Sequence, residues 1–169
     1  MPTVYCTSFD SRIGHVYVAS TDRGVCKISI PRETQKDFFR WLGKHFSDDE
    51  VVENRARNRD VIDELNRYLD GKLVKFRSSL DEIGTVFQTR VWRELRKIPY
   101  GTTITYKQLA RRVGIPKGYQ AAGRAVATNP LPIIIACHRV LGSDGRLTGY
   151  SAGIKTKEFL LRLEGALIL

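Results

Sequence analysis

Cysteine is scarce in this 169-residue chain: Cys6, Cys26 and Cys137 are the only three, and no two form a CxxC pair. An odd, dispersed set of thiols builds no disulfide framework and fits a reducing, intracellular setting. Long apolar runs are lacking too, so no segment reaches the length of a transmembrane helix. The opening Met1-Pro2-Thr3-Val4-Tyr5 does not have the layout of a signal peptide. Internal repeats and low-complexity tracts are also missing. Acidic residues are few, 18 against 28 Lys and Arg, and the deficit is uneven. Residues 1–80 have a net charge of +2 and residues 81–169 of +8, which points to a polyanion-binding surface on the second part. With 42% hydrophobic residues, the chain can bury a core as one domain or two small ones.

Three β-rich runs open the chain: Val4 to Phe9, His15 to Ser20, and Val25 to Ile30. Gly and Asp turns separate them, and the pattern predicts an antiparallel meander with Cys6 and Cys26 on adjacent strands. Helical spacing follows from Glu33 to Phe46, with Phe38, Phe39, Leu42 and Phe46 on one side. A second helix fits Asn58 to Leu69, with Val61, Ile62, Leu65 and Leu69 inward and Gly71 past its end. Further on, Thr85 can cap a helix running through Phe87, Val91, Trp92, Leu95 and Ile98. Thr105 to Gly114 and Tyr119 to Thr128 read as two short helices joined by a tight turn, a helix-turn-helix. A last helix fits Lys155 to Leu163. The expected fold class is α/β (α+β): a small N-terminal antiparallel-sheet domain with helices over residues 1–77, a linker over 78–84, and a mainly helical domain with the helix-turn-helix over 85–169.

The segment Ile133-Ile134-Ile135-Ala136-Cys137-His138-Arg139-Val140 carries the candidate chemistry. Three consecutive isoleucines are expected to be buried on both sides. A thiol at the end of such a run sits where packed scaffold meets a cavity or the surface. The thiolate is the nucleophile, and an adjacent imidazole, or a water it orients, can take the proton. The plainer alternative is a buried small hydrophobe. Cys6 and Cys26, with His15 and His45 near them in sequence, match no metal-ligand spacing and read as buried free thiols.

Residues 85–165 resemble the catalytic domain of the O6-alkylguanine-DNA alkyltransferases. The blocks that carry the resemblance are Phe87-Gln88-Thr89-Arg90-Val91-Trp92, Ile98-Pro99-Tyr100-Gly101, Thr105-Tyr106-Lys107-Gln108-Leu109-Ala110 and Asn129-Pro130. Cys137-His138-Arg139-Val140, Gly149-Tyr150-Ser151-Ala152-Gly153 and Lys157-Glu158-Phe159-Leu160-Leu161 to Glu164-Gly165 continue the series. The first part resembles that family's N-terminal domain loosely, through Phe9-Asp10-Ser11 and Ile13-Gly14.

The resemblance implies a single-turnover repair reaction, in which an alkylated guanine is flipped out of duplex DNA and its alkyl group passes to Cys137. By the same resemblance, His138 polarised by Glu164 relays the thiol proton through water, with Glu164 raising imidazole basicity and fixing the tautomer. Asn129 braces the turn around the site, and Tyr106 donates to the guanine ring as negative charge develops. Tyr150 and Ser151 close over the base, and the carbonyls of Cys137 and Val140 read its exocyclic amine. Gln120, Arg124, Lys107 and Ser143 are the expected DNA contacts. Neither a metal nor a diffusible cofactor is implied. The expected partner is duplex DNA carrying O6-alkylguanine, with no membrane, and the expected state is a monomer in the nucleus of a eukaryote or the cytoplasm of a prokaryote.

Two departures from the family pattern stand out. Ala136 occupies the place of a proline directly before the nucleophile, which loosens that turn and adds an N–H donor. Gln120 occupies the place of an arginine that enters the base stack, and it brings neither charge nor cation–π stacking. The expectation is that Gln120 intercalates, with Arg124 on a phosphate or in the groove. Two alternatives remain at this stage. One is a lesion sensor that binds without transferring, and the other is a Cys-His hydrolase carrying a helix-turn-helix, against which the adjacency of Cys137 and His138 counts.

Overall fold

The computed structural model describes residues 2–147 and 153–166, and the chain divides into two compact units, Met1–Glu82 and Ile83–Leu169. In the first unit β1 (Val4–Ser11), β2 (Gly14–Thr21) and β3 (Gly24–Ser29) form the expected antiparallel meander. A short strand that the sequence pattern did not suggest, β4 (Val51–Glu53), pairs parallel to β1, giving the order β3-β2-β1-β4. β2 thus lies between the strands of Cys6 and Cys26, so those thiols are not on neighbouring strands. Both are buried and free. Burial foremost, with the charge of Asp81 adding to it, pushes the Cys26 thiol up to about 12, which leaves it an inert core group.

Helix α1 (Gln35–His45) begins at a reciprocal capping box between Thr34 and Asp37. Phe38, Leu42 and Phe46 are buried, but Phe39 is 41% exposed. One residue past Phe38 is a rotation of about 100°, which carries Phe39 off the core arc and leaves it edge-on to Phe38 at 5.2 Å. Helix α2 (Arg59–Leu69) buries Val61, Ile62, Leu65 and Leu69 as expected.

The stretch expected to be a linker is partly structural. Val25 N–H donates to the Ser79 carbonyl (2.9 Å), and Asp81 N–H donates to the Val25 carbonyl (2.8 Å). Thr21 Oγ1 donates to the Asp81 carboxylate at 2.6 Å. Residues 78–82 therefore fold with the first unit, because the free edge of β3 offers backbone groups that this segment satisfies.

In the second unit α3 (Val86–Arg96) and α4 (Tyr106–Arg112) start at capping boxes, Thr85 with Gln88 and Thr105 with Gln108. Helix α5 (Tyr119–Ala127) follows α4 across a short turn, completing the expected pair, and α6 (Ile154–Leu163) comes last. The core holds Val91, Trp92, Leu95, Leu109, Ala122, Val126, Leu160 and Leu161. Trp92 Nε1 donates to the Ala125 carbonyl (2.8 Å), fixing α3 against α5. A parallel pair, β5 (Ile104–Thr105) with β6 (Val140–Leu141), brings the start of α4 beside the segment that follows Cys137. The isoleucine run forms no regular strand. Ile133 and Ile135 are buried, Ile134 is half-exposed, and Ile133 adopts φ +75°, a left-handed conformation uncommon for a β-branched residue. Among the described residues no helix is long and apolar enough to cross a membrane.

Gly84 sits where a Cβ would lie 2.4 Å from Trp92 Cη2 and 2.6 Å from Cζ3. The tryptophan ring is 1% exposed and cannot swing away without opening the core. Gly84→Ala is therefore expected to destabilise this unit by about 1–3 kcal/mol, read as a lower urea midpoint at unchanged slope.

Candidate active site

A bracket of side-chain bonds shapes the approach to Cys137. The Asn129 amide Nδ2 donates to the Ile135 carbonyl (2.9 Å), and its Oδ1 accepts from Leu131 N–H (2.9 Å). The Ile135 carbonyl also accepts the Cys137 N–H at 2.7 Å across Ala136, whose φ −74° and ψ 58° describe an inverse γ-turn. That φ is one a proline would impose, so alanine reaches the same backbone with a hydrogen bond holding it. Cys137–Arg139 then form a 3₁₀ turn, closed by Arg139 N–H on the Ala136 carbonyl (3.1 Å). Cys137 is buried and lies at the N-terminal end of this turn.

The Glu164 carboxylate, at the C-cap of α6, holds the turn from below. Its Oε1 accepts from Arg139 Nε (2.8 Å) and Gly101 N–H (3.2 Å), and its Oε2 accepts from Arg139 Nη2 and His138 Nε2, both at 2.8 Å. Arg139 Nη1 also donates to the Ile98 carbonyl at 2.6 Å, and its guanidinium lies 5.7 Å from the Tyr100 ring centroid. Gly101 has φ +79°, and a Cβ there would come within 3.0 Å of the Glu164 carbonyl, so glycine lets this loop close on the carboxylate.

A carboxylate gripped in this bidentate way is ionised and accepts from His138, which places the imidazole proton on Nε2 and leaves Nδ1 the basic nitrogen. Burial is the largest influence on His138 and pushes it below the usual histidine range. The hydrogen bond and charge of Glu164 oppose that shift, and Arg139 and Lys157 reinforce it. The expected gain in basicity from Glu164 is therefore outweighed, and the contact from Nε2 to the Glu164 carboxylate is the one through which the tautomer is held.

Lys157 is fully buried, and its Nζ donates to the Val140 carbonyl at 2.6 Å and lies 6.0 Å from the Tyr106 ring centroid. Burial lowers it to about 8, and the negative charge of Cys137 acts to raise it. Tyr106, the first residue of α4, is shifted up by burial and by the Cys137 charge. A cavity of about 480 Å³ opens beside it, lined by Tyr106 and Lys107 of α4, by Tyr119, Gly123 and Ala127 of α5, and by Gly142 and Ser143.

The structure thus brings Cys137, His138, Glu164, Asn129, Tyr106 and Val140 into one neighbourhood. Lys107 and Ser143 are at the cavity, and Gln120 and Arg124 are exposed on α5. Tyr150 and Ser151 lie outside the described residues. The carbonyls of Cys137 and Val140 already accept from Val140 N–H and Lys157, and each keeps a second lone pair for a ligand. Arg139 and Lys157 were not singled out from the sequence. Lys157 had a legible signal: with Leu160, Leu161 and Glu164 it follows the i, i+3, i+4, i+7 spacing of a buried helix stripe.

Residues 4–81 match the family model described as 6-O-methylguanine DNA methyltransferase, ribonuclease-like domain, and residues 86–166 the one described as its DNA binding domain. The methylated-DNA–protein-cysteine methyltransferase of Methanosarcina barkeri is 40% identical over 95% of this chain and 97% of its own length. The inducible enzyme of that name from Bacillus subtilis is 35% identical, over 96% and 91%. The crystal structure of Mycobacterium tuberculosis OGT in complex with DNA superposes with a TM-score of 0.83 at 35% identity, covering 95% of this chain and 92% of that one.

Two outcomes follow from the geometry. Arg139→Ala leaves Glu164 as an uncompensated buried charge and is expected to cost about 3–5 kcal/mol in denaturant unfolding, with Arg139→Lys recovering part because it keeps the charge but not the fork. His138, neutral in the fold with its affinity for protons lowered, binds fewer protons folded than unfolded. Its contribution to stability is therefore present above about pH 6.5 and fades as pH falls below that value. His138→Gln is expected to flatten the stability profile between pH 7.5 and 5 relative to the wild type.

Proposed function

Because the chain belongs to the 6-O-methylguanine DNA methyltransferase family, we propose that it repairs duplex DNA by moving the alkyl group of O6-alkylguanine irreversibly onto Cys137. The observation that carries this reading is the ordered set of Cys137, His138, Glu164 and Tyr106 around one turn beside a cavity on the helix-turn-helix. The thiol proton leaves through a water to Nδ1 of His138, whose Nε2–H stays on Glu164. The Lys157 ammonium and Tyr106 hydroxyl lie close enough to favour negative charge at the sulfur and on the departing base.

Cys137 Sγ then attacks the alkyl carbon in line, the carbon–O6 bond breaks, and its electron pair goes to the guanine. The ring takes a proton from Tyr106, and the proton held by His138 returns through solvent to replace it, so thiol and alkylguanine become thioether and guanine with no cofactor consumed. Asn129 holds the turn, and the carbonyls of Cys137 and Val140, with Tyr150 and Ser151, contact the base. Lys107, Ser143, Gln120 and Arg124 meet the duplex. The nucleophile, its relay and the helix-turn-helix all come from Ile83–Leu169 of one chain, which suits action as a monomer.

The test is intact and peptide mass spectrometry after incubation with duplex DNA containing O6-methylguanine. One methyl gained on the Cys137 peptide, absent in Cys137→Ala, is the expected result. Selective binding without mass gain would make the protein a lesion sensor, and renewed thiol after each cycle would make it a hydrolase. Tyr106→Phe is expected to slow transfer by ~10²-fold with little change in duplex affinity.

A further inference from the structure

Helix α5 presents three faces. Ala122, Ala125 and Val126 are buried, Gln120 and Arg124 are exposed, and Tyr119, Gly123 and Ala127, each four residues apart, line the cavity beside Tyr106. On the cavity face the second and third positions are glycine and alanine, so Tyr119 is its one large side chain. Its ring is 44% exposed, and among the described residues no hydrogen bond or ring contact holds it in place. It is also the first residue of α5, the end of a second helix that faces base edges in a helix-turn-helix.

A base drawn into the cavity leaves a gap in the stack, and an apolar or aromatic side chain can fill such a gap as wedges do between kinked base steps. Gln120 has no π-face to stack, and it lies one residue, about 100°, round the helix from the cavity face. Resting on the alkyl-transfer reading above, we propose that Tyr119 is the side chain that enters the base stack when alkylguanine occupies the cavity, while Gln120 and Arg124 meet the backbone and groove beside it. Tyr119 is a positioning residue for the duplex substrate and touches none of the reacting atoms.

The experiment compares methyl transfer to Cys137 from one oligonucleotide containing O6-methylguanine, offered single-stranded and annealed. A single strand has no stack to hold open, and transfer from it also reports that each variant is folded. Tyr119→Ala is expected to lower the ratio of duplex to single-strand rates by about tenfold or more, Tyr119→Phe to restore it, and Gln120→Ala to lower it by less than about threefold. A wild-type ratio in Tyr119→Ala, a larger fall in Gln120→Ala, or a Tyr119→Phe ratio as low as that of Tyr119→Ala each overturns the assignment. A wild-type protein that takes no methyl from either form overturns the transfer reading itself, and this inference with it.

Discussion

One buried carboxylate organises the second unit. Glu164 is the shared acceptor for His138, Arg139 and Gly101, so a single side chain ties the end of α6 to the turn that begins at Cys137 and to the loop before β5. A carboxylate withdrawn from water is tolerable only when its lone pairs are filled and its charge is met, and the Arg139 fork does both. The same clamp settles the chemistry of the histidine. With Glu164 held ionised, the Nε2 proton has a fixed acceptor and the basic nitrogen of His138 is set by geometry, whatever the solvent does.

The Arg139 clamp also moderates what Glu164 can do electrically. A lone carboxylate beside a buried imidazole would favour the imidazolium. Burial foremost penalises the positive form, Arg139 and Lys157 add to that penalty, and His138 stays neutral, ready to receive a proton. Lys157 adds the complementary element. Its buried ammonium is costly, yet its bond to the Val140 carbonyl and its place near Tyr106 put positive charge at the edge of the site where a thiolate forms. The pattern is a base kept uncharged next to an acid network kept charged, which separates proton uptake from charge stabilisation.

Much of this fold is legible in the sequence because local rules and tertiary structure agree. Thr85 with Gln88 and Thr105 with Gln108 announce two helix starts, and the Gly and Asp turns announce the meander. Legibility fails where partners are distant. β4 is three residues long, and nothing in Val51-Val52-Glu53 says that β1 has an edge waiting for it. The isoleucine run reads as buried, and two of its residues are. Its backbone is nonetheless bent by Asn129 and by Ile133 in a left-handed conformation, which no apolar pattern encodes. Arg139 is hidden for a related reason: a charged residue is expected at the surface, and only the assembled core reveals what meets it, whereas Lys157 shows its burial, though not its partner, by its place on the α6 stripe.

The two departures from the family pattern differ in kind, and the structure treats them differently. Proline before the nucleophile is a backbone device, and a backbone can reproduce it. Ala136 holds the same φ, within a turn closed by the bond from Cys137 N–H to the Ile135 carbonyl, a bond that needs neither a ring nor an N–H at position 136. An arginine in the base stack is a side-chain device, offering charge and a planar stacking surface together. No backbone adjustment at Gln120 can supply a π-face, so any replacement has to come from another side chain that reaches the same place. The charge half is available from Arg124, one turn along the exposed face, and the planar half from Tyr119 at the cavity mouth. Dividing one residue's two properties between neighbours on consecutive turns requires small residues between them on the uncovered side of the helix, so that both can approach the duplex, and Ala121 and Gly123 meet that condition.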